Sequence, residues 1–557
     1  MKAKSGRKST RGRASDSPAP RFEGLFVHPG LAAADGEKAR RAITAIAARH
    51  GLAKWRGRPV GPGAEDWILE PPKGVRVSVP RAWDLVARLR EDRDVAAVDP
   101  AFITPGHEFP PAEAAPASRR RAARSGLFGG GEPLPESDDF EWSIKLCKVP
   151  KAWAFSQAQG KTPFGRGIRV GHPDTGYTEH SDFFDPTRVL VAEGFDFFEG
   201  DADPSDPLGG QAPSHGTSTG SVIMSAVGPA GVAHVTGSAP EALLVPYRVS
   251  DSVIHFSYRA LCESLYRAVA AGCHVVSMSL GGPFSSKTLL RALKHCTDNG
   301  LILFAASGNH YPWVVYPARY TETIAVCACN ARKEIWDGAT AGDDVDVTAP
   351  GESVWRARMR SNGEEVARGD GTSYATATMA GVCALWLAHH GRDALLQRFT
   401  PAGLAGAFKD LLMTSGVHTP AGWDQSRHGA GIADALALLN APLPSTAPAI
   451  GTNFRATGRP PEENDFDRIA SYFPDADPGR VRQALQRLLG VDERGLKDAL
   501  VRHASEIEFH IATDGATRDY LQAQMAPRAR AARSRARGAS RPFGRGSRTL
   551  KAALAAG

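Results

Sequence analysis

Gly371-Thr372-Ser373-Tyr374-Ala375 opens a run of small and apolar residues that reaches Trp386 and Leu387, and its reading decides the fold. A Thr-Ser pair ahead of such a run signals a helix start. Ala375, Ala377, Ala380 and Ala384 let neighbouring backbone approach closely, so a buried helix is expected. A hydroxyl in its first turn sits where free N–H groups and the helix dipole favour negative charge. That suits an acyl-transfer nucleophile, although an isolated Gly-Thr-Ser reads first as a plain N-cap.

Two further segments change the reading. Ile168-Arg169-Val170-Gly171-His172-Pro173 is a strand pattern ending at Asp174-Thr175-Gly176, a carboxylate followed by turn residues. His215-Gly216-Thr217 begins another helix of small and apolar residues that runs to about Ala226. An Asp at a strand end and a His and a Ser at helix starts are the three types that nucleophilic catalysis needs: a hydroxyl, an imidazole to take its proton, and a carboxylate to fix the imidazole tautomer. Separations of 41 and 158 residues suit groups that meet in space rather than in sequence.

With these residues in place the chain resembles a subtilisin-like serine peptidase. Asp174-Thr175-Gly176, His215-Gly216-Thr217 and Gly371-Thr372-Ser373 match the three family signatures in order. Ser307-Gly308-Asn309 matches the strand end whose Asn donates to the oxyanion, and Ser279-Leu280-Gly281-Gly282 the strand edge that binds substrate backbone. Tyr316-Pro317-Ala318 matches the family's cis-proline segment and Ala349-Pro350-Gly351 its Ala-Pro-Gly turn. The resemblance, over roughly residues 140–440, implies that Ser373 attacks the scissile carbonyl, His215 carries the proton, Asp174 orients His215, and Asn309 with the Ser373 N–H stabilises the oxyanion. Ser279, Leu280, Gly281 and Gly308 would bind substrate, and the small residues of these segments suggest an open pocket for a large or apolar side chain. A binding protein on the same fold has no need of Asp174, His215, Ser373 and Asn309 together.

No cofactor is required by this chemistry. Relatives often bind structural calcium, but Asp201, Asp203 and Asp206 read as a solvated turn, and no metal-site spacing occurs. Cys327 and Cys329 lie two apart on a strand pattern, with no further ligand spacing beside them. His180 reads as a loop residue, and His234, His255, His274 and His295 as surface or core histidines. The chain also departs from the family pattern: His172 and Pro173 replace apolar strand residues, Gly220 and Ser221 replace the usual Ala-Gly pair, and Ala377 replaces a proline.

The central region reads as α/β, a doubly wound, mostly parallel sheet. Ala242–Val249, His274–Leu280 and Leu301–Ala306 are near-continuous apolar strands, separated by helical patterns at Ser257–Ala271 and Ser285–Asn299. Ahead of it, residues 21–105 read as strand, helix, strand, strand, helix, strand: Phe22–Val27, Gly36–His50, Asp66–Leu69, an alternation at Val75, Val77 and Val79, Arg81–Arg90 and Val95–Asp99. That order suits a small ferredoxin-like α+β domain. By position it resembles the inhibitory prodomain of subtilisin-like peptidases, which implies a precursor inhibited by its own N-terminal domain.

Residues 1–20 are basic and of disordered composition, and residues 106–138, rich in Pro, Ala, Gly and Arg, form a linker suited to maturation cleavage. The catalytic region spans 139–441. Residues 442–525 form a C-terminal extension, either a small α-rich module or an addition packed on the catalytic domain, with Ile507, Phe509 and Ile511 alternating like a strand. The tail 526–557 holds eight arginines, one lysine and no acidic residue. It reads as disordered, either solubilising or able to bind nucleic acid or another polyanion. Seven cysteines without framework spacing, no signal peptide and no 18-residue apolar stretch give the expectation of a cytoplasmic protein with no membrane partner, acting on protein or peptide substrates. An acid-poor, Arg/Ser-rich start leaves a transit segment as the alternative.

Overall fold

Strands that are apolar on both faces can be covered only by helices on both sides, and the centre of the molecule is built that way. The computed structural model describes residues 21–30, 36–61, 66–103, 139–229, 231–254, 257–446, 465–473, 476–525, 543 and 546–556. The expected basic N-terminus, the linker, His255 and most of the basic tail lie outside the described residues.

The N-terminal unit comprises β1 (Arg21–His28), α1 (Gly36–Arg49), β2 (Arg56–Val60), β3 (Asp66–Glu70), α2 (Val79–Arg90) and β4 (Ala97–Ile103). Its antiparallel sheet has the order β2-β3-β1-β4, the ferredoxin-like arrangement. The element order is the expected one, but two strands are not. Val75 to Ser78 are irregular and Val79 begins α2, because Pro80 stands in the first turn, where its missing N–H costs nothing. The strand that completes the sheet is instead Arg56–Val60, between α1 and β3, which carries little apolar signal.

Two short helices, α3 (Trp142–Leu146) and α4 (Val149–Ala158), lead into the central sheet. Its strands are β5 (Arg169–Asp174), β6 (Phe195–Asp196), β7 (Leu243–Arg248), β8 (Val275–Met278), β9 (Ile302–Ala306), β10 (Ile324–Cys329), β11 (Val347–Pro350), β14 (Val417–His418) and β15 (Ile432–Ala433). They lie in the order β14-β15-β11-β10-β9-β8-β5-β7-β6, parallel except for the β14–β15 pair. A separate hairpin, β12 (Val354–Arg360) with β13 (Gly363–Gly369), stands beside the sheet. From β5 the chain winds first toward β7 and β6, then returns to lay β8 to β11 on the other side. β5 is therefore a switch point, where ligands of such sheets bind at the strands' carboxyl ends. Pro173 has no N–H for a ladder, and the β5–β8 register stops at Gly171.

Helices α5 (His215–Met224), α6 (Arg259–Ala270), α7 (Lys287–Asp298), α8 (Thr372–His390) and α9 (Arg392–Ser415, kinked at Thr400) cover the sheet. α8 is buried along almost its whole length. It packs so closely that a Cβ at Gly381 would stand 1.9 Å from Ser238 Oγ. Two short helices follow, α10 (Gln425–His428) and α11 (Ala435–Asn440).

The C-terminal extension is helical: α12 (Asp465–Ala470), α13 (Pro478–Leu489), α14 (Glu493–Thr513), α15 (Gly515–Met525) and α16 (Arg548–Ala556). The expected strand at Ile507–Ile511 lies within α14, which is buried on several faces and so hides the helical period. The end of the basic tail is likewise not disordered, since Phe543, Ser547 and Leu550 are buried and α16 packs on α2 and α13.

The N-terminal unit sits on α6 and α7. Arg58 bonds Glu263, Arg291 grips Asp66, and Asp99 accepts the Lys287 N–H at the start of α7 at 2.9 Å, where the helix dipole favours a carboxylate. The C-terminal helices complete this junction. Phe509 stacks against Phe102 and Trp83 of the N-terminal unit and Phe284 of the central domain, with ring centroids 5.0, 5.7 and 5.5 Å apart. Arg90 donates to the Arg502 carbonyl, and Asp84 accepts the Arg548 N–H. No helix among the described residues is long and apolar enough to cross a membrane.

Candidate active site

Asp174 ends β5 and is 2% exposed. Its Oδ1 lies 2.7 Å from His215 Nδ1 and also accepts the Thr175 N–H at 2.7 Å. Burial pushes the carboxyl upward in pKa, but His215 and these donors outweigh it and hold the group below the ordinary carboxylate range. His215 is the first residue of α5, entered through Ser214 in the left-handed conformation (φ 63°).

That entry is fixed by Asp206, which accepts the Ser214 N–H at 2.7 Å and the Thr175 hydroxyl at 2.9 Å, while Thr175 Oγ1 accepts the Gly216 N–H. Asp206 is thus not part of a solvated turn. It is buried, its pKa raised by desolvation, and it ties the Asp174 turn to the His215 helix. Sequence reasoning missed it because an Asp among Asp, Pro and Gly reads as loop. Gly216 is required by contact: a Cβ there would lie 2.0 Å from the Gly176 carbonyl oxygen.

Ser373 stands in the first turn of α8 with Gly371 as the N-cap, so its hydroxyl is not spent on capping. Its Oγ donates to the Ser279 carbonyl at 3.2 Å, and the Ser279 hydroxyl donates back to the Ser373 carbonyl at 2.9 Å. Asp174 and His215 are thus directly bonded, whereas the Ser373 hydroxyl is turned toward Ser279. Catalytic hydrogen bonds commonly tighten only when substrate is bound.

Asn309 follows β9. Its Oδ1 accepts the Thr372 N–H at 3.0 Å and the Thr372 hydroxyl at 2.8 Å, which leaves Nδ2 to face the cleft. A Cβ at Gly371 would stand 3.5 Å from Asn309 Nδ2 and 3.6 Å from the Ser373 nitrogen, so both donors border one small space.

The expected substrate-binding segments are partly engaged. Leu280 is buried, and the Gly281 N–H donates to the Val253 carbonyl at 3.0 Å. Gly308 adopts φ 112°. The pocket between Ser279–Gly282 and Ala306–Asn309 is not open, because Val315 fills it. A Cβ at Gly281 would lie 2.5 Å from Val315 Cγ2, and one at Gly308 3.1 Å from Val315 Cγ1. Nothing local to Val315 in the sequence signals this; it enters through the turn ending at the cis Tyr316–Pro317 bond.

Asp196, Glu199 and Asp201 form an acidic cluster. It does not fit a metal: Arg248 Nη1 bonds Asp196 Oδ2 at 2.5 Å and Glu199 Oε1 at 3.1 Å, and Asp196 Oδ1 accepts two backbone N–H groups. Asp201 and Asp203 accept backbone N–H groups in exposed turns.

A profile of the Subtilase family matches residues 165–431. Subtilisin Savinase of Lederbergia lenta is 31% identical over 245 residues, 44% of this chain and 82% of that protein. Minor extracellular protease Epr of Bacillus subtilis is 30% identical over 256 residues, 45% of this chain and 36% of that protein. The chain spans 36%, 63% and 59% of the first three curated relatives it matches. Among solved structures, fervidolysin from Fervidobacterium pennivorans, described as a keratinolytic enzyme related to subtilisin, superposes with a TM-score of 0.54 at 18% identity, covering 78% of this chain and 63% of that one.

Proposed function

The chain belongs to the subtilase family, and from that premise we propose that it is a serine endopeptidase hydrolysing peptide bonds in proteins through Asp174, His215 and Ser373. The observation that carries this reading is the 2.7 Å bond from His215 Nδ1 to Asp174 at the switch point of the sheet. It leaves Nε2 free to take the proton of a hydroxyl. Ser373 Oγ leaves Ser279, attacks the scissile carbonyl and passes its proton to His215. The oxyanion is received by Asn309 Nδ2 and the Ser373 N–H, aided by the dipole of α8. His215 then protonates the leaving amine, and water repeats the sequence to release the acid.

Val315 leaves room for a small side chain at the primary pocket, so small residues are preferred before the scissile bond. The N-terminal unit acts as an inhibitory prodomain, a role supported by its docking on α6 and α7 through Asp66 and Asp99. Seven buried free thiols support function in a reducing compartment. A fluorophosphonate probe tests the central claim. Wild-type protein is expected to label at Ser373 and Ser373→Ala not at all, with turnover falling on the order of 10⁶-fold. Equal labelling of the variant refutes it. A mass drop on incubation, confined to the wild type, reports self-maturation.

A further inference from the structure

β5 brings a second imidazole to the triad. His172 precedes Asp174 by two positions on the same strand, so both side chains leave the same face of the sheet. His172 is 1% exposed. Its Nε2 lies 2.9 Å from Thr219 Oγ1 on α5 and 3.8 Å from Asp174 Oδ2. Thr219 Oγ1 in turn reaches Asp174 Oδ2 at 3.2 Å, with the carbonyls of His215 and Gly216 at 3.1 and 3.3 Å. A hydroxyl has one proton to donate, and these three oxygens can only accept. The carboxylate, being charged, is the strongest acceptor of the three. With its proton on Asp174, Thr219 Oγ1 must accept from His172, which fixes the Nε2–H tautomer. Burial lowers the pKa of His172 against the pull of Asp174.

We propose that His172 and Thr219 are positioning residues for the triad, a buried donor pair that holds Asp174 Oδ2 and weakens the carboxylate's grip on protonated His215. The proposal rests on the serine-peptidase reading. A donor on Oδ2 draws charge away from Oδ1, so the Oδ1 bond to the imidazolium that forms during turnover is weaker than it would be beside an apolar residue. The other ionisable groups facing the carboxylate are Asp206, through Thr175, and Tyr374 on α8, which is bonded to Arg356 with Arg358 nearby. All of them stay in place in the variants that follow.

The test is the pH profile of kcat/KM for the full chain, with fluorophosphonate labelling of Ser373 run in parallel. In Thr219→Val and His172→Val the acidic limb is expected to move up by about half a pH unit to one unit, with KM unchanged. Thr219→Ser, which keeps the hydroxyl, is expected to restore the wild-type limb. A limb that stays put in variants that still label overturns the proposal alone. A wild type that does not label overturns the peptidase reading, and this proposal with it. Histidine nitrogen NMR of the wild type needs no substitution: a neutral Nε2–H tautomer for His172 is expected, and an Nδ1–H tautomer overturns the relay.

Discussion

Asn309 performs two tasks with one amide. Its oxygen holds the start of α8 through Thr372, and on the serine-peptidase reading proposed above its nitrogen is left for charge that develops only in the transition state. Asn309→Leu is therefore expected to lower kcat by about 10²–10³ with KM little changed, read from steady-state kinetics. Equal effects on kcat and KM would assign the oxyanion to other donors. Val315 sets the second expectation at this scale. Val315→Gly should shift cleavage in peptide libraries from small toward large residues, and an unchanged profile would place the primary pocket elsewhere. Motif and order bring Asp174, His215, Ser373 and Asn309 to notice, because each sits beside turn or helix-start residues with a recognisable pattern. Asp206 and Val315 carry no such mark. One is an acid among loop residues and the other an apolar residue among many, and only the path of the backbone gives them their work.

At the scale of elements, α5 depends on close backbone contact. Gly216→Ala would drive a Cβ into the Gly176 carbonyl and push His215 off Asp174. The expected outcome is a folded protein with loss of Ser373 labelling, checked by thermal melting and probe together. The N-terminal unit offers a pH test. Burial raises the Asp92 carboxyl, but the Asp94 N–H, His50 and Arg49 overcome it and hold the pKa at about 2. Its contribution to stability is full above the ordinary carboxylate value of about 3.9 and is lost as pH falls through about 2. Asp92→Asn should therefore melt earlier than wild type at pH 7, and the two should converge below pH 2. Among the central strands β9 was legible because it is apolar throughout. The alternation at Val75, Val77 and Val79 misled because Pro80 turns the same residues into a helix entry. In α14, Ile507 and Phe509 face different neighbours, so burial on several sides imitates a strand.

At the scale of the molecule, Phe509 joins three units: its ring meets Trp83 and Phe102, Phe284, and the rest of α14. Phe509→Ala should cost about 3–5 kcal/mol at this junction and make residues 21–103 easier to release under limited proteolysis. An unchanged digestion pattern would show that α6 and α7 hold the N-terminal unit unaided. Glu508 strengthens the same seam by accepting from the Ser285 N–H and hydroxyl and the Tyr472 hydroxyl. The bonds from Arg90 to Arg502 and from Arg548 to Asp84 join positions 412 and 464 apart. Contacts so distant in the chain close slowly, since the loop entropy must be met before they reward it. The parallel sheet can therefore form while this seam is still open, and the last contacts to close are those that fasten the C-terminal helices to the N-terminal unit.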